Sequence, residues 1–243
     1  MALHIIRTLG TALLDFVFPP QCLACKKALR ESNAYLCPSC WQEVLSRSTN
    51  GCKRCSNPYV GAVEQCGNCA AWNPVFERAV VLGDFGEAIQ QAVHALKFRQ
   101  QARLGVELGR RMAALPCFAA ILSSVDVLVP VPLHSARQRQ RGYNQSACIA
   151  SGLAQVLGKP MRIDLIKRRI NTQQQAKLDA QGRRQNLQDA FVASGEIPPH
   201  QCIGLVDDVV TTGATLNACA LALQEAGAET IRALALACPY LSD

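Results

Sequence analysis

The chain has 243 residues, 49% of them apolar and 18% charged, with a formal net charge of +7. That balance is ordinary for a folded globular chain and excludes collagen-like, low-complexity and disordered classes. No stretch reaches the ~20 consecutive apolar residues of a membrane-spanning helix, so no integral membrane segment is expected.

Met1–Pro20 holds a short apolar run broken by Gly10 and Asp15, without a small-residue cleavage site, and does not fit a secretory signal. Leu3, Ile6, Leu13 and Val17 recur at near-helical spacing and Arg7 is the only Lys or Arg. Residues 1–20 are therefore expected to form an N-terminal helix packed on the protein rather than laid on a lipid surface. The expected location is cytoplasmic, where thiols stay reduced.

Eight of the thirteen cysteines lie between Cys22 and Cys69, as four Cys-x-x-Cys pairs: Cys22/Cys25, Cys37/Cys40, Cys52/Cys55 and Cys66/Cys69. One such pair holds two thiolates on one face of a tight turn, and a second closes a tetrahedron around Zn²⁺. Two structural Cys₄ zinc sites are expected, ahead of redox dithiols or an iron–sulfur cluster, with no cysteine spare and no open coordination position. Sequential pairing closes the shorter loops and is preferred; interleaved pairing stays open. A segment of this size with few large apolar residues draws its folding energy from the metal. The double zinc ribbon is expected over 21–73, with a boundary near Trp72–Pro74. The remaining cysteines (Cys117, Cys148, Cys202, Cys219, Cys238) sit among apolar neighbours and read as small core residues.

Over 74–243 strand-like and helix-like segments alternate. Strands are expected at Ala79–Phe85, Asp126–Val131, Arg162–Ile166, Gln201–Val206 and Thr230–Ala237. Helices are expected at Ala88–Phe98, Leu104–Leu115, Tyr143–Leu157 (closed by Gly158) and Thr215–Ala226 (stopped by Gly227). Continuous apolar strands alternating with helices imply an α/β fold, a parallel sheet covered on both faces. Lys167–Asp189 is polar and Gln/Arg-rich, the composition of a functional loop or a partly helical excursion.

The positive charge is concentrated. His134–Arg184 holds eleven Lys/Arg against two acids, whereas the rest of the chain holds fourteen against sixteen. A single basic segment points to phosphate-bearing partners. Within it, Arg137, Arg139 and Arg141 stand with Gly142 at a strand-to-helix junction, a setting suited to pyrophosphate.

The second candidate site is the run Leu205–Leu216. An apolar strand ends in two acids, Asp207 and Asp208, at the carboxyl edge of the sheet, where ligands bind in α/β folds. Thr211, Thr212, Gly213, Ala214 and Thr215 then offer hydroxyls and backbone N–H groups at a helix N-terminus, a ready anion site. Carboxylates suited to ribose hydroxyls or Mg²⁺ beside a phosphate cradle describe a sugar-phosphate pocket. The Gly-x₄-Gly-Lys-Ser/Thr pattern of P-loop NTPases is absent.

This run resembles the 5-phosphoribosyl-1-pyrophosphate (PRPP) signature of type I phosphoribosyltransferases. By that resemblance Asp207 and Asp208 are catalytic, facing the ribose hydroxyls and Mg²⁺, and Thr211–Thr215 hold the 5-phosphate. Purine-salvage members place an acid where Thr211 stands, so a hypoxanthine/guanine enzyme is not expected. The whole chain is similar to the ComF family, in which a double zinc ribbon precedes a phosphoribosyltransferase-like domain. The similarity rests on the paired cysteines, Leu96-Lys97-Phe98, Val129–His134 followed by Arg141–Gln145, Arg183-x-x-Asn186 before Phe191, and Val206–Leu216. It implies that Lys97, His134, Arg137, Arg141 and Arg183 also bind PRPP, and that Lys167–Asp189 closes over the pyrophosphate as a lid. The Thr-Gln pair usual before Arg-x-x-Asn is Gln174-Gln175 here. The resemblance further implies natural competence: handling internalised single-stranded DNA, with single-stranded DNA or DNA-uptake proteins as partners. The alternatives are a non-catalytic module sensing PRPP or a nucleotide, and a nucleobase phosphoribosyltransferase of nucleotide salvage.

Overall fold

The computed structural model describes residues 19–31, 34–46, 51–57, 62–170, 187 and 189–239. The N-terminal helix expected before Pro19, Arg183 and most of the Lys167–Asp189 segment lie outside the described residues.

Each cysteine-rich half opens a short helix with its second pair: α1 (Pro38–Leu45) follows Cys37 and α2 (Gly67–Trp72) follows Cys66. Between them β1 (Gly51–Cys52) and β2 (Ala62–Val63) pair in parallel. The body is built on β3 (Arg78–Asp84), β4 (Val127–Pro130), β7 (Cys202–Val206) and β8 (Thr230–Cys238), which form a wholly parallel sheet in the order β3-β8-β7-β4. These strands are nearly continuous apolar runs because both faces are covered. Val80, Leu82, Leu128, Val206, Leu234 and Leu236 turn to one face. There they meet α3 (Glu87–Phe98), α4 (Ala102–Ala113) and α7 (Gln145–Leu157). Ala79, Val81, Val129, Ile203, Leu205 and Ala233 turn to the other, against α8 (Ala214–Glu225) and the antiparallel pair β5 (Ile166–Arg168) and β6 (Phe191–Ala193).

Four elements of the body differ from expectation, β6 among them, which no expected strand covers. The strand expected at Arg162–Ile166 begins only at Ile166. Met161 bridges Leu128 on the sheet edge, Arg162 and Asp164 then pair (2.7 Å), and the chain turns away to make its strand with β6 instead. Two short helices are additional: α5 (Pro116–Leu122), opened by its proline, and α6 (Ser135–Arg141). α6 is entered by His134, whose Nδ1 accepts from Ala136 N, and ended by Gly142 at φ 84°. That left-handed turn lets Asn144 cap α7, its side-chain oxygen accepting the N–H groups of Ser146 and Ala147. Cys202, Cys219 and Cys238 are buried in the body and Cys148 is half-buried.

The ribbon segment is packed on the body. Cys22, Leu36, Cys37, Cys40, Trp41 and Val44 share one apolar cluster with the sheet and α3. Glu43 accepts the N–H of Ala88 (3.0 Å), placing a carboxylate at the start of α3, where Gly86 supplies no side-chain cap. The Arg111 guanidinium lies 3.9 Å from the Trp41 ring centroid. Gly83 admits the end of α1, since a Cβ there would stand 2.2 Å from the Val44 carbonyl oxygen.

The closest helix contact is between α4 and α7. A Cβ on Gly109 would lie 2.1 Å from the Ile149 oxygen, and one on Gly152 would lie 2.1 Å from the Val106 oxygen. Both obstacles are backbone, so neither can swing aside. Gly109→Ala and Gly152→Ala are each expected to destabilise the protein by about 1–3 kcal/mol through overpacking, read as a lowered denaturation midpoint at unchanged m-value.

Candidate functional site

The eight paired cysteines converge as two clusters, Cys22/Cys25/Cys37/Cys40 and Cys52/Cys55/Cys66/Cys69, each with all sulfurs within 4.8 Å of one another. The pairing is sequential. Tetrahedral Zn²⁺ with Zn–S bonds of about 2.3 Å requires sulfurs about 3.8 Å apart. Cys25–Cys37, Cys55–Cys66 and Cys52–Cys69 stand 3.6, 3.7 and 3.9 Å apart, so the donor sets fit the ion. The halves repeat one design: Cys37 N–H donates to Cys22 Sγ and Cys66 N–H to Cys52 Sγ, both at 3.3 Å. Ser39, 3.1 Å from Cys37 Sγ, is the first cause holding that thiol down at about 6, which favours the metal-binding thiolate.

A cavity of about 770 Å³ opens at the carboxyl edge of the parallel sheet, the size of a small-molecule site. At its floor β7 ends in Asp207 and Asp208. Asp208 is 4% exposed, and two carboxylates side by side in such a place need compensation. Three side chains from two helices supply it. Lys97, from the last turn of α3, pairs with Asp208 at 2.9 Å. Gln145 Nε2 donates to Asp208 Oδ2 at 2.8 Å, and Ser146 Oγ donates to Asp207 Oδ1 at 3.0 Å, both from the N-terminus of α7. Asp207 Oδ1 also accepts the N–H of Asp208 (2.8 Å). Burial, and then the charge of Asp208, still push the Asp207 carboxyl up to about 7.

Arg137, Arg141 and Arg168 line the same cavity. Arg141 donates to Gln145 Oε1, so the glutamine that holds Asp208 is itself held by an arginine. Burial lowers the Arg141 pKa, which Asp208 partly offsets and Arg137 deepens. Arg168 is also lowered, first by burial and then by Arg137. Tyr143 donates its hydroxyl to the Leu96 carbonyl and Asn144 donates to the Val131 carbonyl (2.9 Å). These bonds tie the last turn of α3 and the end of β4 to the loop between α6 and α7.

Of the residues expected in the site, Asp207, Asp208, Lys97, Arg137, Arg141, Thr211 and Thr215 line this one cavity. Thr212, Gly213 and Ala214 form the turn beside it; Thr212 Oγ1 accepts from Ala214 N (3.4 Å), and Gly213 takes φ 76° to start α8. His134 is the N-cap of α6 and is not part of the cavity wall. Arg139 is exposed on the other side of α6 from Arg137 and Arg141. Sequence reasoning assigned no role to Gln145, Ser146 or Tyr143, although the Arg-Gly-Tyr-Asn-Gln run contained the signal: polar side chains opening an otherwise apolar helix. It placed Arg168 in the loop or lid expected over Lys167–Asp189, whereas β5 sets that side chain in the cavity wall.

These features define a class of protein: a double zinc ribbon carrying a phosphoribosyltransferase-type α/β domain. A double zinc ribbon family model matches residues 13–70 and a phosphoribosyl transferase domain model matches 144–239. Competence protein F of Haemophilus influenzae is 32% identical, over 89% of this chain and 96% of its own. The DNA utilization protein YhgH of Salmonella typhimurium is 31% identical, over 88% of this chain and 95% of its own. Among solved structures, the glutamine PRPP amidotransferase of B. subtilis with ADP and GMP aligns at TM-score 0.42 and 18% identity. That alignment covers 60% of this chain and 30% of that one. The chain belongs to the ComF family of competence proteins.

The sequential clusters have a direct test. Replacing Cys22 and Cys37 together with serine is expected to leave one tightly bound zinc per chain by metal analysis. Interleaved sites would lose both ions.

Proposed function

We propose that this is a PRPP-binding, phosphoribosyltransferase-like protein that acts in natural competence, handling internalised single-stranded DNA. The observation that carries the first half is the pair Asp207 and Asp208 on the floor of a cavity whose walls hold Thr211, Thr215 and three arginines. Carboxylates accept from ribose hydroxyls, the α8 N-terminus suits a 5-phosphate, and arginines match the oxygens of pyrophosphate. His134 would contribute through the N-terminus of α6, and Arg183 from the segment before β6. Mg²⁺ fits the same floor: Asp207 and Asp208 are the hard oxygen donors it prefers, and bound with PRPP it would neutralise pyrophosphate charge. The competence and DNA-utilization names of the relatives support the second half, as does a basic segment that exposes Arg139 and Arg169 among its described residues. Among the described residues no helix is long and apolar enough to cross a membrane, consistent with a cytoplasmic protein.

One feature favours binding without turnover: Thr211 stands in the cavity wall where a purine-salvage enzyme would need an acid to take or share a base proton. PRPP binding with no pyrophosphate release in the presence of free bases decides for a sensing module, and release decides for a transferase.

Calorimetry on the zinc-loaded protein with Mg²⁺ and PRPP is expected to show binding that Asp208→Asn weakens at least tenfold; unchanged affinity would remove the proposed floor. Single-stranded DNA affinity is expected to fall steeply with salt. Arg139→Gln should flatten the slope of log K against log salt by about 0.7 while leaving PRPP affinity intact. Binding that ignores salt would retire the DNA half.

A further inference from the structure

The two acids of the cavity floor are already engaged within the protein. Asp208 Oδ1 meets the Lys97 ammonium at 2.9 Å, and Asp208 Oδ2 accepts from Gln145 Nε2 at 2.8 Å. Asp207 Oδ1 accepts from Ser146 Oγ and from the N–H of Asp208. Three of the four carboxylate oxygens therefore have protein donors before any ligand arrives. The main-chain carbonyl of Asp208 is also taken, by the N–H of Leu236 at 3.0 Å. Gln145 offers no exchange of roles: Arg141 donates to its Oε1, which keeps the NH₂ group turned to Asp208. A divalent cation such as Mg²⁺ takes an octahedron of oxygens at about 2.1 Å. At Asp208 it would meet an ammonium and an amide donor where oxygen ligands are needed.

The lysine is held in this position by more than the pair itself. It lies in the last turn of α3, where the helix dipole favours a cation. That turn is anchored: Ala95 and Leu96 are fully buried, and the Leu96 carbonyl accepts from the Tyr143 hydroxyl. The Asp208 side chain is 6% exposed, so salt screens the pair little. We propose that Lys97 is the resident cation of the acid floor: it neutralises Asp208 in the ligand-free protein and closes that carboxylate to divalent metal. Lys97 thereby leaves Mg²⁺ no place on Asp208 unless a ligand brings oxygens of its own, and ribose 5-phosphate alone binds without the metal. In this last respect the inference rests on the phosphoribosyl reading of the cavity.

The test uses Mn²⁺, a paramagnetic ion that also prefers oxygen ligands, with free ion counted by EPR against the zinc-loaded full chain without PRPP. The native protein and Lys97→Arg are expected to bind it more weakly than about 1 mM, and Lys97→Met about five-fold or more below that limit. The double variant Lys97→Met/Asp208→Asn should lose the gain, which assigns it to Asp208 rather than to acids elsewhere. By calorimetry, native affinity for ribose 5-phosphate should be the same with and without added Mg²⁺. Native Mn²⁺ binding tighter than about 1 mM that Asp208→Asn removes would overturn the proposal, and that result needs no Lys97 variant to fold. A folded Lys97→Met that gains no Mn²⁺ site, a gain that survives Asp208→Asn, or a native ribose 5-phosphate affinity that Mg²⁺ raises would also overturn it. If ribose 5-phosphate does not bind with or without Mg²⁺, the phosphoribosyl reading fails, and the Mn²⁺ results still decide the role of Lys97.

Discussion

Two adjacent carboxylates at the end of a buried strand are the constraint around which this structure is arranged. Placing Asp207 and Asp208 side by side in surroundings with little water is unfavourable twice over, through lost hydration and mutual repulsion. The relief comes from elements far apart in the chain: a cation from α3, two donors from the N-terminus of α7, and an arginine from α6 that braces one of those donors. Removing any one weakens the compensation of a closely spaced, largely buried pair of carboxylates.

The approach of α7 to the acids has its own requirement. Ser146 and Gln145 reach them because α7 lies flat on α4, and it lies flat because Gly109 and Gly152 present no side chain at the crossing. A packing detail on the far side of the helix thereby fixes hydrogen bonds at its tip. The ribbon adds a further brace. Its Glu43 caps α3, the helix that delivers Lys97 to Asp208, so the metal-dependent segment and the cavity share one structural element. The second ribbon half and the residues just after it reach the other face: Ser56 donates to the Ala79 carbonyl (2.7 Å), and Asn217 of α8 accepts the N–H of Val75 (2.7 Å).

Much of this was legible without coordinates where the signal is local. Cys-x-x-Cys spacing specifies a metal knuckle because two thiolates three residues apart already share one face of a turn. Apolar runs between polar stretches marked the four sheet strands, and two acids closing such a run before a Thr-Thr-Gly turn marked the cavity floor. α6 escaped because its residues, Ser-Ala-Arg-Gln-Arg-Gln-Arg, contain no apolar periodicity. It is helical through capping by His134 and Gly142. β5 was shifted because pairing with β6, not residue preference, decides which residues are strand.

The sequence alone therefore determined the zinc donors, the alternating α/β class and the chemistry of the acid and threonine run, all of which depend on neighbours a few residues apart. Only the tertiary structure decided the sequential zinc pairing and which arginines enter the cavity. It also decided that Lys97, Gln145 and Ser146 converge on the acids. Apart from the zinc pairing, which joins nearby knuckles, those outcomes depend on strand order and helix crossings between segments from 47 to well over 100 residues apart, as Leu96 lies from Tyr143 and Val75 from Asn217. No local pattern of residue types encodes them.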